Sequence, residues 1–181
     1  MDQGLLPRRY AKALYKFADE RHDTQAVYGF MENLDAAFDA NPRLQQTIAN
    51  PFVKTADKVA LLTTAAGKNA DSSATLADFI KLLVENRRID LAREIALAYM
   101  DTYRKANNIY KVSVISAAPL SQADNDRLKA LVEKHLDGGT AQYENAVQPD
   151  LIGGFVINID NERLDASVKH ELEQLRLALL N

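Results

Sequence analysis

Three histidines, His22, His135 and His170, are the side chains of this sequence best suited to proton transfer or metal ligation. Two stand near helix ends and the third on an amphipathic segment, and none is followed at i+3 or i+4 by another histidine or a cysteine, the spacing that builds a metal site on a helix. The glycine pair Gly153-Gly154 lies in Asp150-Leu151-Ile152-Gly153-Gly154-Phe155, which has neither the GxxxxGK[ST] nor the GxGxxG layout of a phosphate cradle. A tight turn or bulge entering a strand is the expected use of that pair. Asp160, Glu162 and Asp165 lack the glycine and the distal glutamate of a calcium loop, so they read as a hairpin turn and a helix cap. The other carboxylate pairs, Asp124/Asp126 and Glu171/Glu173, fall at a helix start and on a solvated face, with no nucleophile beside them. Arg8-Arg9 and Arg87-Arg88 are the basic doublets, suited to solvated helix ends. The residues therefore predict no catalytic centre, no cofactor and no metal.

Totals narrow the class further. With 47% hydrophobic residues in 181, the chain can bury a real core, as one ordinary domain or two small ones. The balance of 22 Lys/Arg against 25 Asp/Glu gives a net charge of -3, without the basic surface that phosphate backbones select. A small helical RNA-binding regulator, the rival reading for a helical chain of this size, is disfavoured on that ground. Zero cysteines exclude disulfides and thiolate chemistry. No run approaches the roughly 20 apolar residues of a membrane span, and the start is not that of a signal peptide, so no direct membrane insertion is expected.

The elements that would position any site follow from periodicity. Residues 5 to 107 read as six helices, at 5–21, 24–40, 42–49, 55–67, 73–86 and 89–107, with Asp23, Asn41, Thr55 and Ser73 as N-caps and Pro42 at a first helical position. After Asn107-Asn108 the period changes to alternation, and that pair marks the expected boundary between a domain 1–107 and a domain 108–181. The second half reads as a strand at 109–117, a helix from Ser121 to about 136 ended by Gly138-Gly139, and strands at 141–147 and 154–159. A short return follows at Arg163–Leu164, with Asp160-Asn161 as the turn, and then a helix at 167–180. The fold class is thus α+β: an all-α six-helix bundle followed by a small C-terminal α/β domain that leans on something else.

Helical wheels separate ordinary helices from unusual ones. Val27, Phe30, Met31, Leu34, Ala37 and Phe38 of the second helix fit an arc of roughly 120°, enough for one buried face. In the first helix Leu6, Tyr10, Ala13 and Phe17 make one stripe, which Ala11, Leu14, Tyr15 and Ala18 extend to roughly 200°. In the fifth, Leu76, Ala77, Ile80, Leu83 and Val84 are widened by Phe79 and Leu82 to roughly 220°. Two explanations stand: both helices are central and bury two sides internally, or their surplus forms a groove for a partner's amphipathic helix. The groove requires Tyr10, Leu14, Phe79 and Leu82 to be partly exposed while Leu34 and Ile95 are buried.

Several segments also resemble one known family. Arg9-Tyr10-Ala11-Lys12-Ala13-Leu14-Tyr15 is similar to the RYAxAL opening of the ATP synthase delta subunit, the oligomycin-sensitivity-conferring protein of mitochondria. Asn50-Pro51 with Lys58, the run from Phe79 to Arg88, and Val114 to Leu120 resemble further segments of that family. The most specific likeness runs from Asp150 through Gly153, Gly154 and Ile159 to Leu164-Asp165-Ala166-Ser167-Val168, its C-terminal signature. Arg88 departs from the pattern, standing where the family often has glycine.

The resemblance implies a non-catalytic stator subunit of F1Fo ATP synthase. It implies that the N-terminal bundle takes the N-terminal helix of an alpha subunit between its first and fifth helices, at Tyr10, Ala13, Leu14, Phe17, Leu76, Phe79, Leu82 and Leu83. It further implies that the C-terminal domain holds the b subunits of the peripheral stalk, coupling proton-driven rotation to ATP synthesis. The expected location is peripheral, on the cytoplasmic face of the bacterial inner membrane, without cofactor or nucleic acid.

Overall fold

The computed structural model describes residues 4–168 apart from positions 69, 137, 152 and 161. Among them are seven α-helices and one four-stranded sheet, a mixed α+β fold. The chain divides into two compact units, Met1–Arg104 and Lys105–Asn181. The division falls inside the last turn of α6, whereas the change of period points to Asn107-Asn108.

In the first unit, α1 (Leu5–Glu20), α2 (Thr24–Ala40), α3 (Pro42–Ala49), α4 (Thr55–Ala66), α5 (Ala74–Glu85) and α6 (Ala92–Ala106) contribute to one core. Ser73 caps α5 as expected, its Oγ accepting from the Leu76 amide at 3.2 Å. Asp23 and Asn41 occupy cap positions without a side-chain hydrogen bond, and Pro42 opens α3. Thr55 is not a cap. Lys54 takes that place, because its carbonyl already accepts from the amides of Asp57 and Lys58 at 3.1 and 3.2 Å. The expected sixth helix starts late, since Ile89–Leu91 winds into a tighter 3₁₀ turn before α6.

α1 and α5 each close on a left-handed residue that is not glycine. At the end of α1, His22 has φ 55°, with His22 N–H bonded to Asp19 O at 3.0 Å and Asp23 N–H to Ala18 O at 2.8 Å. At the end of α5, Arg87 has φ 55°, with Arg87 N–H bonded to Val84 O at 3.0 Å and Arg88 N–H to Leu83 O at 2.8 Å. Both are Schellman closures, in which a left-handed residue turns two amides back onto otherwise unpaired carbonyls. The left-handed position is Arg87, and Arg88 follows it.

The centre of this core is aromatic. Tyr99 is fully buried, with Tyr15 at 6.1 Å between ring centroids, while Tyr103 lies 4.5 Å from Tyr28. Arg93 joins α6 to α2 through Asp35 at 3.3 Å and through Asp39. Asn33 Nδ2 donates to Ala66 O at 3.1 Å, fastening α2 to the last turn of α4.

In the second unit the sheet order is β2-β1-β3-β4, from β1 (Ile109–Ser116), β2 (Thr140–Val147), β3 (Gly154–Ile159) and β4 (Glu162–Ser167). β1 runs parallel to β2 and antiparallel to β3, and β3 runs antiparallel to β4. A parallel neighbour needs a crossover, and α7 (Gln122–His135) supplies it. Ser121 caps α7, accepting from the Asp124 amide at 3.2 Å. Leu128, Val132 and Leu136 bury against Val112, Val114 and Ile157. Tyr110 packs so closely on Gly139 that an added Cβ would lie 2.4 Å from its ring, so a side chain there would have to displace the ring.

β4 is longer than the Arg163–Leu164 return expected, because it pairs along all of β3, from Gly154 with Ser167 to Ile159 with Glu162. Ser167 therefore ends a strand and does not begin a helix; the rest of the helix expected at 167–180, from Lys169 on, lies outside the described residues.

Candidate partner-binding surfaces

α1 packs against both α2 and α5. A helix with neighbours on two sides uses a wide apolar arc internally, and this accounts for much of the surplus on its wheel. Of the four residues whose partial exposure the groove reading requires, two are found so and two are not. Tyr10 is half-buried and Leu82 is 41% exposed, but Leu14 and Phe79 are 2% and 7% exposed and belong to the core. The correction has a packing cause: Leu14 points between α1 and its neighbours with Ala11 and Ala18, and Phe79 fills space beside Leu76, Ile80 and Leu83. Leu76 and Leu83 are buried as well, while Ala13 is exposed and Phe17 half-buried. Leu34 and Ile95 are buried, as expected.

What these two helices leave at the surface is a strip: Leu6, Tyr10, Ala13 and Phe17 on α1 and Leu82 on α5. Its polar end is organised. Arg21 bridges to Asp78 of α5 at 3.1 Å, and its guanidinium lies 4.0 Å from the centre of the Phe17 ring. Both partners of that ion pair are substantially exposed, so it orients the helices more than it stabilises them.

Two apolar hollows were not marked out by periodicity. One, of about 350 Å³, lies between α4 and α5 and is lined by Val59, Thr63, Leu76, Ile80 and Val84. The other, of about 360 Å³, lies between α7 and strands β3 and β4, with Leu131, Phe155, Ile159 and Leu164 among its lining. Leu131 and Leu164 are 62% and 61% exposed. The signal that could have found the second was Leu131 itself, a leucine beside the stripe Leu128, Val132 and Leu136 rather than within it.

The C-terminal signature residues shape the start of the sheet. Gly154 has φ 79°, a backbone state that side chains other than glycine avoid, and its carbonyl accepts from Ala117 N–H at 3.3 Å. Gly153 O accepts from Val168 N–H at 3.1 Å. Asp165 accepts from Arg163 at 2.8 Å across one face of β4. Asp160 makes the turn with φ 47°, and Glu162 pairs with His135 at 3.0 Å, so these carboxylates serve the hairpin and its surroundings. Among the described residues no group of three His, Asp or Glu side chains could hold a metal ion, and no helix is long and apolar enough to cross a membrane.

Burial raises the Tyr99 phenol far above its ordinary pKa, with smaller contributions from Tyr15, Tyr103, Asp23 and Asp19. The Tyr143 phenol is also raised, by burial and then by Glu133. Neither phenol has the exposure or the partners of a reacting group.

Each unit thus has its own core and leaves an apolar strip or hollow at its surface. Residues 6–179 match the family model of the ATP synthase delta (OSCP) subunit. The chain is 35% identical over 180 residues to an ATP synthase subunit delta of Parabacteroides distasonis, covering 99% of this chain and 98% of that one. It is 33% identical to the corresponding subunit of Bacteroides thetaiotaomicron, over 97% of this chain and 94% of that one. A chain in the cryo-EM structure of the Toxoplasma gondii mitochondrial ATP synthase hexamer has the same fold, with TM-score 0.73, 21% identity, and 98% and 99% coverage. The chain belongs to the ATP synthase delta (OSCP) family, and so is a structural, non-catalytic subunit of ATP synthase.

Proposed function

We propose that this subunit is the stator connector that holds the alpha3-beta3 head against rotation while proton flow turns the rotor. In this reading residues 1–107 form a six-helix bundle whose α1/α5 strip receives the N-terminal helix of an alpha subunit. Residues 108–181 engage the b subunits of the peripheral stalk, and the assembly sits at the cytoplasmic face of the bacterial inner membrane. The observation that supports it is a family match that spans both units. The strip formed by Leu6, Tyr10, Phe17 and Leu82 supports the alpha end, since an amphipathic helix docks through anchors of this kind. Leu14, Phe79, Leu76 and Leu83 then act from beneath, fixing the backbone that presents the strip.

The test is reconstitution. Membranes depleted of this subunit should hydrolyse ATP at the head yet fail to couple hydrolysis or synthesis to the proton gradient, and adding back the purified chain should restore coupling. Full coupling in depleted membranes would defeat the proposal.

A further inference from the structure

The wide apolar arc of α5 is used on two flanks. One carries Leu82 in the strip with α1, and the other walls the hollow of about 350 Å³ against α4. The floor of that hollow belongs to the core, since Ala70, Leu76 and Ile80 are buried. On the facing wall Val59 is half-buried, and Thr63 adds no free hydroxyl, because its Oγ1 donates to Val59 O at 2.9 Å. Among the lining residues the one charged group is Lys81, which is exposed and so stands at the mouth. Of the carboxylates near it on α5, Asp78 is bridged to Arg21 at 3.1 Å, and Glu85 makes no ion pair with Lys81 among the described residues. An ammonium without a carboxylate of its own, above an apolar hollow, complements a hydrocarbon chain that ends in an anion.

We propose that this hollow binds a medium-chain fatty carboxylate, with its chain along α5 and its carboxylate on Lys81 Nζ. The dimensions select a slender occupant. An amphipathic helix docks through about three turns, about 16 Å, whereas the α4 wall here is the single turn from Val59 to Thr63. Along α5 the lining runs from Leu76 to Val84, eight helical rises or about 12 Å. With C–C bonds of about 1.5 Å an extended chain advances about 1.3 Å per methylene, so about nine carbons fill that length. Lys81 lies within the span and reaches the carboxylate on its flexible four-carbon stem. The helical unit alone supplies every group the ligand meets, so the site stands or falls apart from the stator role.

The experiment is calorimetric titration of the full chain with sodium decanoate, below its micellar concentration. The parent should bind it saturably. Decyltrimethylammonium, the same chain with a cationic head, should bind about ten-fold more weakly or worse. Each methylene up to about nine carbons should tighten binding by up to about four-fold, and longer chains should gain nothing. Lys81→Gln should weaken decanoate by about five-fold or more and erase the preference for the anion. Ala77→Trp, which fills the hollow from an exposed position in its lining, should abolish binding. Both positions are exposed, so unchanged thermal midpoints check that folding survives, and if the tryptophan variant unfolds, the Lys81→Gln series decides. No saturable binding of decanoate, equal affinity for the two head groups, or undiminished decanoate binding by Lys81→Gln would overturn the proposal. If a folded Ala77→Trp chain loses binding of an alpha-subunit N-terminal peptide, the hollow is that peptide's seat and the proposal is wrong.

Discussion

The phenol of Tyr99 donates to the carbonyl of Thr24 at 3.0 Å, tying the middle of α6 to the first turn of α2 across the centre of the helical core. That bond requires the protonated phenol, and burial raises the Tyr99 pKa above the unfolded value of about 10. The folded state therefore holds this proton when the unfolded chain has released it. Stability from Tyr99 is complete below pH about 10 and is lost as pH rises beyond it. Urea unfolding from pH 8 to 11 should show a falling midpoint, and Tyr99→Phe should flatten that fall while costing about 1 kcal/mol at pH 7. A parent slope identical to that of the phenylalanine variant would disprove the assignment.

Leu82 and Leu14 should respond oppositely to truncation. Leu14→Ala removes a core side chain and should cost about 2–5 kcal/mol of folding stability, whereas Leu82→Ala should cost less than about 1 kcal/mol. The second change should nevertheless weaken binding of an alpha-subunit N-terminal peptide by about five-fold or more if Leu82 is an anchor. Calorimetry on the two variants separates the roles, and undiminished peptide binding by the Leu82 variant would take this residue out of the site.

His22 and Arg87 occupy left-handed positions that glycine adopts without steric cost. His22→Gly and Arg87→Gly should each raise stability by about 0.5–1 kcal/mol, the relief of Cβ strain outweighing the entropy that glycine adds to the unfolded chain. Alanine at the same positions keeps the strain and should give no gain. Denaturant midpoints for the four variants decide the matter.

Asp160 makes a reciprocal pair with Lys111: its amide donates to Lys111 O at 3.0 Å, and its Oδ1 accepts from Lys111 N–H at 3.1 Å. Asp160→Ala should destabilise the sheet unit by about 1–3 kcal/mol, losing the acceptor and straining φ together. Asp160→Asn keeps both and should cost less than half as much. Amide exchange at Lys111 reports the loss directly, and slow exchange in the alanine variant would contradict the role.

Most of the fold was legible because its elements carry local marks. Pro42 and Ser73 fix helix starts by their own chemistry, and the alternation of Val112, Val114 and Ser116 names the buried face of β1. β4 was underestimated because its pairing partner dictates its length and its own residues, Glu162, Arg163 and Asp165, are polar. The site was only half legible. A wheel measures how much of a helix is apolar, but cannot say how many neighbours consume it. Leu14 and Leu82 look alike in sequence and differ because α1 is flanked on two sides. The cleft beside α7 was hidden for another reason: it exists only where strands distant in sequence meet a helix flank.

The parallel pairing of β1 has a mechanical consequence. β1 is the first element after the helical unit, and it lies inside the sheet, with eight register positions on β2 and five on β3. Tension arriving at Ile109 along the strand axis must shear both ladders at once, because the load is shared among bonds that lie across the pull. An edge strand drawn sideways would instead open one bond at a time, and would yield at far lower force. The strand order thus places β1 where the sheet resists sliding on both flanks, with β2 and β4 as its outer strands.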